Sequence, residues 1–274
     1  MRTQCFTVFL LAAIGGSMYA AETTRINRGA EVTLPLHRAG LTLILETVYL
    51  NGQGPFRMMI DTGNASSLIR PQVAQKLGAR AAYSVEQVTS AGVRRVPVMV
   101  IDRLTVGPVI DRQIEAMVGA LAMVGAMDGV DGVLGQSWLV RHDYLLDYRN
   151  RRLVLDGAAP EGAMRTDLRS VDGRPAVAAL VDGVALDLVV DSGADIVVLF
   201  DHKLRSAREA TLLTNGQSAG AELGSARVAL GGSREQRMAV ARVNSPLLSG
   251  GLLPANAFRS VYVSNRDGFV ELER

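Results

Sequence analysis

Ala178-Ala179-Leu180-Val181-Asp182-Gly183 followed by Leu186-Asp187-Leu188-Val189-Val190-Asp191-Ser192-Gly193 is an apolar run, a two-residue turn, a second apolar run and an acid. The same pattern stands 130 residues earlier: Val48-Tyr49-Leu50, Asn51-Gly52, Phe56-Arg57-Met58-Met59-Ile60, Asp61-Thr62-Gly63. Asn-Gly and Asp-Gly between apolar runs signal β-hairpins, because both central residues of a type I′ turn need positive φ. Each hairpin therefore delivers an Asp at its far end.

The two copies stay parallel beyond the acids. Ser66-Ser67-Leu68-Ile69 leads into Pro71–Gly78, which reads as a short helix with Pro at its start and Gly past its end. Its echo is Ile196-Val197-Val198-Leu199 followed by Asp201-His202-Lys203-Leu204. Leu104-Thr105-Val106-Gly107 matches Val228-Ala229-Leu230-Gly231, and Gly132-Val133-Leu134-Gly135 matches Gly251-Leu252-Leu253-Pro254. Each copy ends in a hairpin, Leu145–Tyr148 with Leu153–Leu155 and Val261–Val263 with Phe269–Leu272. Between the copies lies the turn-rich Gly157-Ala158-Ala159-Pro160-Glu161-Gly162. A repeat of this kind organises the reading of everything else. It predicts two similar lobes, residues 22–156 and 157–274, each a small β-barrel or folded sheet, facing each other about a pseudo-twofold.

Composition agrees and narrows the function. The chain has 274 residues, 48% hydrophobic and 20% charged, enough for a real core. Lys and Arg number 29 against 27 Asp and Glu, spread without runs, so no charged surface for nucleic acid or an anionic membrane is expected. A single cysteine and three separated histidines leave no disulfide framework, no metal-ligand spacing and no Cys or His nucleophile, so the chemistry falls to carboxylates and hydroxyls.

Residues 1–21 carry Arg2, an apolar stretch from Cys5 to Ile14, and small residues up to Ala20-Ala21. This predicts a signal peptide cleaved near Ala20 or Ala21, with a periplasmic or secreted product and no membrane anchor afterwards. The apolar run is about half the ~20 residues of a spanning helix. Ala30–Leu36 reads equally well as an edge strand or part of a pro-segment.

One Asp-Thr-Gly or Asp-Ser-Gly is ordinary turn chemistry. Two, each after an apolar strand and at matching points of a repeat, mean something else. Each strand carries its acid toward buried surface, where an unpaired carboxylate costs several kcal/mol. If the lobes pack about a twofold, the two acids meet and share one proton, because like charges ~3 Å apart do not both ionise.

Ile60-Asp61-Thr62-Gly63 and Val190-Asp191-Ser192-Gly193-Ala194-Asp195 resemble the catalytic loops of aspartic proteases, specifically a two-lobed pepsin-like arrangement of retropepsin-type lobes. Gly132–Gly135 and Gly251–Pro254 resemble the segments that pass behind those loops, with Pro254 departing from the usual Gly. The resemblance implies an all-β, bilobal acid-protease fold and an exported aspartic endopeptidase acting on peptides or proteins. It implies catalytic acids Asp61 and Asp191, supporting loop residues Thr62, Gly63, Ser192 and Gly193, no cofactor and no metal, and a monomer sufficient for activity. Thr62 and Ser192 are expected to bond across the interface beneath the carboxylates. A substrate flap is expected at Ser90, Ala91 and Gly92 within Val88–Val93, with Thr214–Gly220 a second flap or a loop. Members often place a hydroxyl directly after the catalytic Gly; Asn64 and Ala194 stand there instead, which implies an optimum less acidic than a gastric enzyme's. The alternative is a catalytically silent peptide- or partner-binding protein on the same fold. A parallel α/β enzyme would need long crossover helices, and only short ones are legible.

Overall fold

The computed structural model describes residues 6–8, 12–14, 31–39, 42–78, 80–89, 92–120, 129–200, 202–204, 207–214, 217–245 and 248–274. Most of them are strand and few are helix, as the repeat predicted. Both hairpin turns form as the dipeptides require: Asn51 and Gly52 have φ of 50° and 77°, Asp182 and Gly183 of 47° and 85°.

Two of the sheets are copies of each other. The first runs in the order Ala12–Ile14, Tyr83–Thr89, Gly92–Val106, Val109–Val118, Ser67–Ile69, Gly132–Leu134, Gln53–Ile60, Thr42–Leu50, His37–Ala39. The second runs Phe6–Val8, Ala207–Thr214, Gln217–Leu230, Gln236–Val243, Val197–Phe200, Gly251–Pro254, Val184–Asp191, Arg174–Val181, Arg169–Val171. From the second strand onward the two orders correspond one to one. In each, the longest strand also pairs back onto the first strand of the Asp-bearing hairpin, Val106 opposite Val48 and Val228 opposite Val181, which folds the sheet over on itself.

A third sheet belongs to neither lobe alone. Its order is Met164–Asp167, Phe269–Glu273, Ser260–Ser264, Tyr144–Asp147, Arg152–Leu155, Val32–Pro35. The terminal hairpins of the two copies meet in it, with Leu146 opposite Val261. The stretch that read as either edge strand or pro-segment supplies its edge strand, Val32–Pro35.

The last residues of the Asp-bearing strands, Met58–Ile60 and Leu188–Val190, are buried on both faces, which is why they read as unbroken apolar runs. Met58 and Ile60 point into the large core shared by all three sheets, while Met59 between them points into a smaller cluster with Leu68, Met117 and Val133. Leu188, Val190 and Val189 repeat that division in the second lobe. Trp138 and Phe258 are core residues, as their apolar settings predict.

The short helix is Pro71–Leu77, closed by Gly78 at φ 63°. Its expected echo is absent: residues 202–204 have no helical structure. The lobes also differ behind the Asp loops. Gly135 donates its backbone N–H to Ser67 Oγ (3.2 Å), and a Cβ there would lie 2.6 Å from the carbonyl oxygens of Asn64 and Ser66. In the second lobe Val197 takes the ladder position of Ser67 and offers no hydroxyl, so Pro254, without an N–H, leaves no acceptor unserved. The strand runs on through Pro254, which pairs with Asp191. Among the described residues no helix is long and apolar enough to cross a membrane.

Candidate active site

Asp61 and Asp191 each end an apolar strand whose parallel neighbour is the Gly-rich segment of the same lobe: Ile60 pairs with Leu134, Asp191 with Pro254. Both acids are fully buried. The loops that follow them meet across the lobe interface and are stitched reciprocally. Thr62 N–H donates to Ser192 Oγ (3.0 Å), and Ser192 N–H donates to Thr62 Oγ1 (2.9 Å). Each hydroxyl then donates to the opposite strand, Thr62 Oγ1 to the Val190 carbonyl (2.6 Å) and Ser192 Oγ to the Ile60 carbonyl (2.9 Å). These are the cross-interface bonds expected of the two hydroxyl residues, and all four polar groups are satisfied.

Gly63 and Gly193 are glycines because each backbone lies against the other lobe's carboxyl. A Cβ on Gly63 would overlap the Asp191 carboxyl group, and one on Gly193 would lie 2.9 Å from Asp61 Oδ2. The glycine N–H groups turn toward their own acids, Gly63 to Asp61 Oδ1 (3.0 Å) and Gly193 to Asp191 Oδ1 (2.7 Å). Asp191 Oδ2 is buried and meets no N–H or hydroxyl donor. The neighbouring Asp61 carboxyl, when protonated, can serve it.

The electrostatics agree. Burial lifts both carboxyls far out of the usual range. The adjacent Asp191 charge raises Asp61 further, and Asp191 itself is pushed up to about 7. The Gly63 N–H pulls Asp61 back only in part, and Gly193 does the same for Asp191. Such a pair titrates as a unit, with one proton held between two oxygens over a wide pH range. Where a hydroxyl was missing from the sequence, Asn64 places its Nδ2 3.5 Å from Asp61 Oδ2, a long contact, and Ala194 offers nothing.

Three supporting residues escaped the sequence reading. Gln136 donates its Nε2 to the Thr62 carbonyl (2.9 Å) while its N–H bonds the Asn64 carbonyl (2.8 Å), and Asn256 donates Nδ2 to the Ala194 carbonyl (3.0 Å). Both amides follow the Gly-rich segments and hold the catalytic-type loops from behind. Their signal was a side-chain amide just past each segment, displaced by one position between the copies and so easily missed. The third is Arg174, a buried cation near the acids, which nothing in its local sequence marks.

Of the expected flap, Ser90 and Ala91 lie outside the described residues. Gly92 opens the strand Gly92–Val106, which pairs with Tyr83–Thr89 in a long hairpin. The second lobe repeats it with Ala207–Thr214 and Gln217–Leu230. Both candidate flaps are thus arms of equivalent hairpins. Met117, in the strand that follows the first of these hairpins, is in the core of the first lobe.

Comparison with known proteins points the same way. The profile of a family described as Aspartyl protease matches residues 46–138, the heart of the first lobe. No curated protein matches the sequence. An aspartic proteinase from Irpex lacteus has a similar structure, with TM-score 0.57 and 11% identity over 89% of this chain and 97% of that one. Basic 7S globulin from soybean aligns at TM-score 0.48 and 11% identity over 89% of this chain and 94% of that one. A retropepsin-like aspartic protease from Rickettsia conorii is 22% identical over 46% of this chain and 89% of its own, at TM-score 0.34. The chain has the bilobal fold of the aspartic proteases.

Proposed function

We propose that this protein is an exported aspartic endopeptidase whose catalytic groups are Asp61 and Asp191. The observation that carries the reading is the reciprocal bonding of Thr62 and Ser192 beneath two buried, electrostatically linked carboxyls. Two buried carboxyls, one of them ionised, cost a binding protein stability and return it nothing.

The reaction is general acid-base hydrolysis. A water molecule held between the carboxyls loses a proton to the ionised one as its oxygen bonds to the peptide carbonyl carbon. The protonated carboxyl gives its proton to the carbonyl oxygen, forming a neutral gem-diol. In the second half the C–N bond breaks, the amine nitrogen takes the proton that came from water, and a gem-diol hydroxyl returns its proton to the other carboxyl. Both acids end as they began, and no covalent intermediate forms. The substrate is a peptide or protein, and one chain supplies both halves of the site.

Export rests on Arg2, the apolar stretch Cys5–Ile14 and the small residues before Glu22. N-terminal sequencing of the protein recovered from periplasm or medium tests it; a chain still beginning at Met1 in the cytoplasm refutes it. Activity is tested by incubating the protein lacking residues 1–21 with a diverse peptide library between about pH 3 and about pH 8, beside Asp61→Asn and Asp191→Asn. Cleavage by the wild type, lost by orders of magnitude in both variants, supports the reading. Peptide binding without cleavage overturns it in favour of a binding protein on this fold.

A further inference from the structure

We infer that Arg174 is a positioning residue that breaks the symmetry of the dyad, keeping the negative charge on Asp191 and the shared proton on Asp61. The inference rests on the catalytic reading above and makes it specific.

The two lobes are matched at the acids but not beside them. Ala176 pairs with Val189, two residues before Asp191, and Ile44 pairs with Met59, two residues before Asp61. Two positions further along each ladder, level with the acids, stand Arg174 and Thr42. A cation therefore lies on the Asp191 side only. Its side chain is 3% exposed, so little water screens it. Nε donates to the Val171 carbonyl (3.1 Å) and Nη2 to Asp172 Oδ2 (2.9 Å), while Nη1 is buried without an acceptor.

Asp172, Asp191 and Asp61 act on this guanidinium, and Asp195 acts in turn on Asp191. The Asp172 side chain is 51% exposed, and solvent weakens its hold, whereas both acids of the dyad are buried. The attraction of Arg174 is felt more by Asp191 than by Asp61 and outweighs the repulsion of Asp191 by Asp195. Burial favours the neutral form at both carboxyls, and the Arg174 cation offsets it more at Asp191 than at Asp61. In the mechanism this makes Asp191 the base that takes the proton from water and Asp61 the acid that protonates the carbonyl oxygen.

The test is a pH titration of wild type, Arg174→Gln, Arg174→Lys and Asp172→Asn, read by kcat/KM and by the carbon-13 carboxyl signals of Asp61 and Asp191. Between its two titration steps the wild type is expected to show a carboxylate signal at Asp191 and a carboxylic-acid signal at Asp61. Arg174→Gln should move both limbs of the profile up by about one unit, and Arg174→Lys should bring them back. Asp172→Asn, at an exposed site that folding tolerates, should move them down. A merely structural arginine would lower kcat and leave the limbs in place. The inference is overturned if the Asp61 signal is the ionised one, or if neither Arg174→Gln nor Asp172→Asn moves the titration. The carboxyl signals need no turnover, so an absence of cleavage would refute the endopeptidase and still leave this inference decided.

Discussion

Thr62 and Ser192, 130 residues apart, hold each other by two reciprocal backbone-to-hydroxyl hydrogen bonds of 3.0 and 2.9 Å. Each hydroxyl also donates to the strand that carries the other lobe's acid. Removing either one leaves a buried N–H and a buried carbonyl unserved. Thr62→Val and Ser192→Ala should each cost about 2 kcal/mol of stability by urea unfolding, and a loosened dyad should lose about 10²-fold in kcat. Wild-type activity in both would remove the brace from the mechanism.

Glycine is required at two places for a reason outside its own lobe. Gly63→Ala should be the worse substitution, because its Cβ overlaps the Asp191 carboxyl, whereas that of Gly193→Ala comes to 2.9 Å from Asp61 Oδ2. A displacement of this size at the reacting groups predicts losses of about 10²-fold or more in kcat. Peptidase assays on the two variants, with circular dichroism to verify folding, check the order.

The dyad makes stability depend on pH. An unfolded Asp titrates near ~3.9, while folded Asp191 holds its proton to about 7 and Asp61 is raised as well. Between these limits the folded state binds more protons than the unfolded one, so stability falls as pH rises from about 4 to about 7. Asp191→Asn should flatten that fall. Denaturant midpoints across this range read the slope, and a wild type that gains stability over the window contradicts the burial of both acids.

A second pH effect comes from His142. Its Nε2 lies 2.9 Å from Asp111 Oδ2 and its Nδ1 2.9 Å from Asp156 Oδ2, an arrangement that favours the imidazolium, in which both ring nitrogens donate. Although burial opposes the charge, the two carboxylates raise its pKa overall. The group's contribution is complete below the unfolded value of about 6.5 and is lost as pH rises through the raised folded value. His142→Gln should cost about 1 to 2 kcal/mol near pH 6 and progressively less at higher pH. An equal cost at both ends of the range would show that the ring is neutral.

Neither Asn64 nor Ala194 supplies the hydroxyl donor that would favour an ionised carboxyl, and the Asn64 amide is 3.5 Å from Asp61. The pH-rate profile should accordingly peak well above a gastric enzyme's, and Ala194→Ser should move its acidic limb down by about half a unit or more. A wild-type optimum near about pH 2 would contradict this.

Much of this architecture was legible before any coordinates. The Asn51-Gly52 and Asp182-Gly183 turns require positive φ wherever they occur, and the apolar strands behind Asp61 and Asp191 could only be buried, so the two hairpins and the placement of the acids follow from local rules. The helix ending at Gly78 was equally legible, but residues 202–204 of its echo are not helical, because so short a segment with no Gly stop holds no helix against tertiary forces. Pro254 looked like a break and is not one, since the only acceptor its missing N–H would have served, Ser67 in the first lobe, is Val197 in the second.

The chain alone determined the repeat, the strand character and which residue types had to do the chemistry, because periodicity and turn chemistry act over a few residues. Tertiary structure decided what depends on the meeting of two halves. It put Gly63 against Asp191, bound Thr62 to Ser192, joined the terminal hairpins in a sheet belonging to neither lobe, and set the cation of Arg174 beside one acid and Thr42 beside the other. None of these contacts has a local signature, since each partner is more than a hundred residues away or is distinguished only by what the opposite lobe lacks.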